Sequence, residues 1–259
     1  MYYKNDVKKI LSTGIKNVKP FLIDEWKNIS QYLYFTGIYK KKIKIFIKSR
    51  GISDSVFREY KISKDLKAKN KKYFPKPFFY KLDNSIKFIA IEYVYGERLD
   101  NIIKSNKFNS LNKNFRKNLY QGLFEILKIL HNSKIVHRDI RPANLIIKKN
   151  GTPVLIDFQF AVDIKRKIYK EFKEIKKKPK LIATLGREYL RGRFYWDDAY
   201  SFAKILDNLK SNDRKYFEIK LKIKKLIGKN VIISVKNNFF SKFLVLLKFY
   251  FSKIKNKII

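Results

Sequence analysis

His137-Arg138-Asp139-Ile140-Arg141-Pro142-Ala143-Asn144-Leu145-Ile146-Ile147-Lys148-Lys149-Asn150-Gly151-Thr152-Pro153-Val154-Leu155-Ile156-Asp157 carries the pattern from which the fold of this chain can be read. Asp139, Asn144 five residues on, and Asp157 after a turn and an apolar run are side chains that phosphoryl transfer requires. One carboxylate accepts the proton of an attacking hydroxyl, while an amide oxygen and a second carboxylate hold divalent cations against the moving phosphate. Between them, Asn144 to Lys148 reads as an apolar strand, Asn150-Gly151 as a two-residue turn and Pro153 to Ile156 as the return strand. Such a hairpin brings Asn144 and Asp157 back beside each other. The bland alternative is a surface loop with Asp157 as a strand-end cap.

His137-Arg138-Asp139 followed by Asn144, with Asp157-Phe158 thirteen residues beyond, resembles the catalytic loop and magnesium-binding motif of the protein-kinase-like superfamily. The resemblance implies an α+β fold of two lobes, a small β-rich N-lobe and a mostly helical C-lobe. It places the N-lobe at residues 1–94, the C-lobe at 95–230 and a basic aromatic tail or last helix at 231–259. ATP and Mg²⁺ are the implied cofactors. Asp139 then orients the acceptor hydroxyl and takes its proton, Arg141 stabilises the transferring phosphate, and Asn144 and Asp157 hold metal.

The rest of the chain supplies further parts in order. Gln31 to Lys48 reads as strand, with Tyr32-Leu33-Tyr34-Phe35, a short turn around Gly37, and the alternation Ile43, Ile45, Ile47. Lys48 stands where the family has its ATP-contacting lysine. A helix from the cap cluster Ser53-Asp54-Ser55 to about Lys69 carries Glu59, in the position of the glutamate that pairs with that lysine. Read alone, two opposite charges eleven residues apart would be a solvated face.

Pro75 and Pro77 mark a loop, and Ser85 to Val94 reads as a strand. Ile91 to Glu97 resembles the kinase hinge, where the backbone of Glu92 and Val94 would meet the adenine edge and Glu97 or Asp100 the ribose. Leu111 to His131 is a helix with one apolar face. His131 packs that helix end, and His137 is a scaffold residue that orients the loop. Asp198, opening Asp198-Ala199-Tyr200-Ser201-Phe202, is expected to cap a buried helix and bond the catalytic loop's backbone. Residues 1–30 give mixed signals, with Pro20 breaking any long helix.

Four departures from the family pattern stand out. Gly37 is alone where three glycines are usual, Phe46 replaces a small residue against adenine, and Gln159 replaces the glycine after Asp157-Phe158. Arg191-Gly192-Arg193 replaces an acidic anchor. Without glycine at 159, a permanently set site is expected rather than a switch. Arg138 is placed to meet a phosphorylated residue, although nothing in the sequence shows that such a phosphate exists.

The chain has 259 residues, with 61 Lys and Arg against 22 acidic residues, a net charge of +39 that attracts anionic partners. It has no cysteine, which excludes disulfides and thiolate metal sites. The N-terminus lacks the apolar core of a signal peptide, and the longest apolar run, Phe239 to Phe251, is interrupted by two lysines. A cytoplasmic location is expected, with peripheral attachment to the inner face of the cell membrane if the lysine-aromatic tail is an interfacial helix. The tail fits a last core helix as well. The preferred acceptor at this level is a sugar of a membrane glycolipid, as in lipopolysaccharide-core kinases, with protein Ser/Thr hydroxyls as the alternative. A pseudokinase and a nucleic-acid-binding protein are the other readings. The latter rests on charge alone, and no specific nucleic acid partner is expected.

Overall fold

A computed structural model describes residues 3–21, 33–40, 42–49, 53–84, 86–106, 108–165, 185–192 and 195–233. After helix α1 (Tyr3–Leu11) come strands β1 (Lys16–Pro20), β2 (Leu33–Tyr39) and β3 (Ile43–Ser49), helix α2 (Ser53–Lys69), and strands β4 (Pro77–Leu82) and β5 (Lys87–Glu92). The strands form one antiparallel sheet in the order β1-β2-β3-β5-β4.

Strand β3 decides which side chains meet. Its residues point to alternate faces. Ile45 and Ile47 are fully buried with Ile10, Ile15, Phe35 and Phe88, a core that packs α1 on one face of the sheet. Lys44, Phe46 and Lys48 therefore face the other way: Phe46 packs against Val56 of α2 with Ile89 and Ile91, Lys48 reaches Glu59 of α2, and Lys44 lies over the Tyr93 ring.

Two local expectations are corrected here. The chain does not turn at Gly37, which lies inside β2 opposite Ile45; the reversal comes at Lys40, where φ is 46°. A Cβ at position 37 would lie 2.6 Å from Ile15 Cγ2, so this glycine makes room for core packing and not for a bend. Pro77 is not in a loop but opens β4, an edge strand where a missing N–H costs no ladder bond. Of the strand expected at Ser85 to Val94, the structure forms Lys87–Glu92, and Ser85 lies outside the described residues. In the unassigned N-terminal stretch, α1 and β1 form on either side of Gly14.

The second lobe follows a short connector. Strand β6 (Glu97–Arg98) and helix α3 (Leu99–Lys104) lead to α4 (Lys113–Asn132), which starts where the Asn112 side chain accepts from Asn114 N. Its buried Leu119, Tyr120, Leu123, Ile126, Leu127 and Leu130 share a core with α5 (Asp198–Leu209) and α6 (Arg214–Lys224). Truncating one such leucine to alanine costs about 2–5 kcal/mol. Strand β7 (Ile135–Val136) pairs with β10 (Val162–Asp163) and brackets the catalytic hairpin of β8 (Leu145–Ile147) and β9 (Pro153–Leu155).

The hairpin is clamped from outside. Gly151, at φ 82°, lies so close to α4 that a Cβ would come 2.2 Å from Phe115 O, and Asn118 donates to Asn150 O at 2.8 Å. Of residues 231–259, Val231–Ile233 form strand β12 against β11 (Tyr195–Asp197). The rest, including the apolar run and tail lysines, lies outside the described residues, as do the expected strand residues Gln31 and Tyr32. No helix among the described residues is long and apolar enough to cross a membrane.

Candidate active site

The hairpin does what its sequence implies: Ile156 N–H donates to Asn144 O at 3.0 Å, so Asn144 and Asp157 flank one point. The backbone is left-handed at both ends of this loop, with φ 69° at Arg138 and at Asp157. Such conformations cost roughly 1–3 kcal/mol each and persist only where surroundings hold them. Asp198 supplies that hold at the first end, its carboxylate accepting from His137 N (2.7 Å) and Arg138 N (3.2 Å). Burial pushes the Asp198 carboxyl up to about 7 despite those two bonds. The helix cap expected of Asp198 belongs instead to Asp197, which accepts from Tyr200 N. Two adjacent carboxylates thus divide the two tasks.

Lys48 joins the lobes. Its ammonium lies 3.2 Å from Glu59 Oε2 on α2 and 2.6 Å from Asp157 Oδ1 beyond the hairpin. Burial would raise the Asp157 carboxyl, but Lys48 outweighs it and holds the group below the usual range. Glu59 is pushed up by its burial, against the pull of the same lysine. Arg58, the neighbour of Glu59, donates to Gln159 O at 3.1 Å and gives α2 a second bond to the segment after Asp157.

Asp139 is 5% exposed. Its Oδ1 accepts from Gly186 N (2.7 Å) and its Oδ2 from Asn144 Nδ2 (2.9 Å), while Arg141 Nε lies 3.3 Å away. Burial raises its carboxyl above the usual range, with Arg141 pulling the other way. A raised carboxylate is a stronger acceptor for a hydroxyl proton. Asn144 Nδ2 also donates to Asp139 O at 2.8 Å, which fixes the amide so that its oxygen is left for another ligand.

His137 accepts from Asp139 N at Nδ1 and donates from Nε2 to Ile156 O, and burial lowers its pKa to about 4. It is a neutral strut with its ring against Phe158, as expected of a scaffold residue.

The departures have structural answers. Gln159 lies in a short 3₁₀ turn, and the left-handed residue at this joint is Asp157, so position 159 does not need glycine. Arg138 is 2% exposed, donates to Phe160 O and stacks its guanidinium 5.3 Å from the Trp196 ring centroid, a packing role. Arg191 reaches Asp197 (3.3 Å) and Tyr195 OH (3.2 Å), an anchor with the charge order reversed. Arg193 lies outside the described residues. Phe46 stacks on Tyr34 with centroids 5.7 Å apart and meets Phe21 edge-on at 5.4 Å, which gives the cleft an aromatic roof.

At the connector, the Glu92 carboxylate turns to Lys67 Nζ (3.1 Å) and Lys76 N (2.9 Å), while its own N–H donates to Lys76 O. Val94 follows without a secondary-structure partner, Glu97 is exposed on β6, and Asp100 pairs with Arg98. Sequence reasoning missed Arg58 and Gly186. Both act on or through backbone groups, which leave no residue signature.

A family model described as "Protein kinase domain" matches residues 38–179. Among curated proteins, the dual specificity protein kinase zakA of Dictyostelium discoideum is 32% identical over 98 residues, covering 38% of this chain and 12% of that one. A probable serine/threonine-protein kinase of the same organism is 29% identical over 161 residues, covering 60% of this chain and 35% of the relative. The matched stretches thus span about an eighth to a third of the length of these relatives. A solved structure of the yeast RNA Pol II CTD kinase CTDK-1 complex aligns with TM-score 0.42 and 19% identity over 56% of this chain and 50% of that one, too partial a superposition to carry weight. Since the family model spans more than half of the chain, and includes the lysine, the loop and the second aspartate that the fold gathers at one cleft, this chain belongs to the protein kinase domain family.

Proposed function

We propose that the chain is an ATP- and Mg²⁺-dependent kinase that phosphorylates serine or threonine hydroxyls of proteins. The observation that carries this is the Lys48 ammonium held between Glu59 and Asp157, within the buried cluster of Asp139 and Asn144. The residues fit the cofactors. Asp157 and the free oxygen of the pinned Asn144 amide are hard oxygen donors of the kind Mg²⁺ takes, with waters and phosphate completing the shell. Bound there, ATP and Mg²⁺ supply the transferable phosphoryl group and neutralise its charge.

The chain's own residues do the rest. Lys48 grips the nucleotide phosphates, with Glu59 fixing its reach. The backbone of Glu92 and Val94 lines the base side, and Glu97 lies toward the ribose. Asp139, its carboxylate oriented by Gly186 N–H and Asn144, accepts the acceptor's proton, and Arg141 faces the charge that develops on the phosphate.

Of the two acceptors left open by the sequence, the protein hydroxyl is supported by the relatives' names, which include a MAP kinase kinase and serine/threonine-protein kinases. Neither the glycolipid acceptor nor membrane attachment gains support from them. Asp139→Ala should lower ATP-dependent phosphorylation by about 10²–10⁴-fold while the thermal unfolding transition survives. Labelled ATP offered with a protein extract and with lipopolysaccharide-core oligosaccharide should mark protein. Label found only in the oligosaccharide would overturn the acceptor assignment, and unchanged turnover in the Asp139 variant would overturn the catalytic one.

A further inference from the structure

A second concavity, of about 370 Å³, is lined on one side by Glu92, Tyr93, Val94 and Tyr95 and on the other by Lys148, Lys149 and Asn150. None of Lys48, Asp139, Asn144 or Asp157 lines it, so it lies apart from the phosphoryl-transfer cluster, sharing with the proposed nucleotide site only the connector residues Glu92 and Val94. We infer that this cleft docks an acidic segment of a protein partner.

Both walls are stiff. Glu92 ends β5 and is fastened by Lys67 and Lys76, while the Lys148–Asn150 turn is held to α4 through Asn118 and the Phe115–Gly151 approach. A cleft between fixed walls loses little conformational freedom on binding. Its charge is one-sided. The one carboxylate in the lining, that of Glu92, is already neutralised by Lys67 at 3.1 Å. Lys148 and Lys149 bond no carboxylate among the described residues, and Lys44 adds a third ammonium 4.0 Å from the Tyr93 ring centroid and 5.4 Å from that of Tyr95.

Three cations around two tyrosines suit alternating carboxylate and main-chain contacts. The ring of Tyr95, which is 66% exposed, offers a flat apolar surface beside them. A nucleic-acid strand would need a basic groove tracking about four or more phosphates, whereas Lys148, Lys149 and Lys44 place three ammonium groups here. The docking site stands whether or not the neighbouring cluster transfers phosphate.

The test uses the full chain and a fluorescein-labelled (Asp-Glu)₅ decapeptide in 150 mM KCl, read by fluorescence anisotropy. Because the whole chain is basic, a charge-matched control is essential: Lys148→Glu/Lys149→Glu is compared with Lys224→Glu/Lys225→Glu at the exposed end of α6, both checked for wild-type thermal unfolding. The cleft variant should bind the peptide at least 10-fold more weakly and the control no more than 2-fold more weakly. Equal losses would show that the overall positive field holds the peptide, and no loss in either would show that the cleft does not; each result overturns the inference. Tighter binding of a labelled dT10 strand that is lost in the same cleft variant would assign the cleft to nucleic acid and also overturn it.

Discussion

Replacing Lys48 by methionine isolates the ion-pair arrangement that joins the two lobes. The side chain is 5% exposed and Glu59 3%, and the ammonium sits 3.2 Å and 2.6 Å from two carboxylates. Methionine keeps most of the stem's packing, so the loss is electrostatic. Removing one partner of a buried ion pair costs about 3–5 kcal/mol, and here the upper half applies because two carboxylates are left facing each other. For a chain of this size that lowers the unfolding temperature by roughly 8–20 °C. In the variant, burial and the Asp157 charge raise Glu59 with only the backbone N–H of Phe158 pulling the other way. A carboxyl whose folded pKa lies above its unfolded value stabilises most at low pH and loses that contribution as pH rises through the folded pKa. The deficit of Lys48→Met should therefore shrink between pH 7.5 and pH 5. Adding Glu59→Gln should recover roughly 2 kcal/mol at pH 7.5. Urea unfolding of the wild type, the single and the double variant at both pH values measures all three quantities. A deficit under about 1 kcal/mol at pH 7.5, or one indifferent both to pH and to Glu59→Gln, would refute the reasoning.

His131, buried at the end of α4, has its pKa lowered to about 4 by desolvation. The unfolded chain therefore binds a proton between about pH 6.5 and 4 that the folded chain does not, and stability falls with pH across that window by up to about 3 kcal/mol for this residue. His131→Phe should flatten the urea midpoint over the same range, with the similar contribution of His137 remaining. Gly151→Ala, placing a Cβ 2.2 Å from Phe115 O at φ 82°, should lower stability by more than about 1 kcal/mol in thermal or urea unfolding. Arg58→Met removes the charged donor to Gln159 O, worth about 1.5–3 kcal/mol; hydrogen exchange should accelerate across 53–69 and stay unchanged across 113–132.

The catalytic hairpin was legible because its chemistry is local: an amide, a glycine turn and an aspartate at set spacing can close only one way, and the structure closes them so. The two-lobed α+β fold was implied by the resemblance of that stretch to the protein-kinase-like superfamily, and the alternation of β3 and the apolar face of α4 agreed with it. Lys48 and Glu59 show the limit of such reading. Eleven residues apart in a chain this rich in charge, they carry no pairing signal until β3 and α2 are packed side by side. Gly37 illustrates the same limit, since a lone glycine between strand-like residues suggests a turn, yet Ile15 pressing from another segment is what requires it. The division of labour between Asp197 and Asp198 and the Gly186 N–H on Asp139 likewise depend on segments distant in sequence. The sequence by itself determined the polar side chains available to the site and the local turn that gathers half of them. Only tertiary packing decided which lysine, which carboxylate and which backbone N–H converge, because long-range contacts are set by the fit of buried faces and backbone donors carry no mark in the residue names.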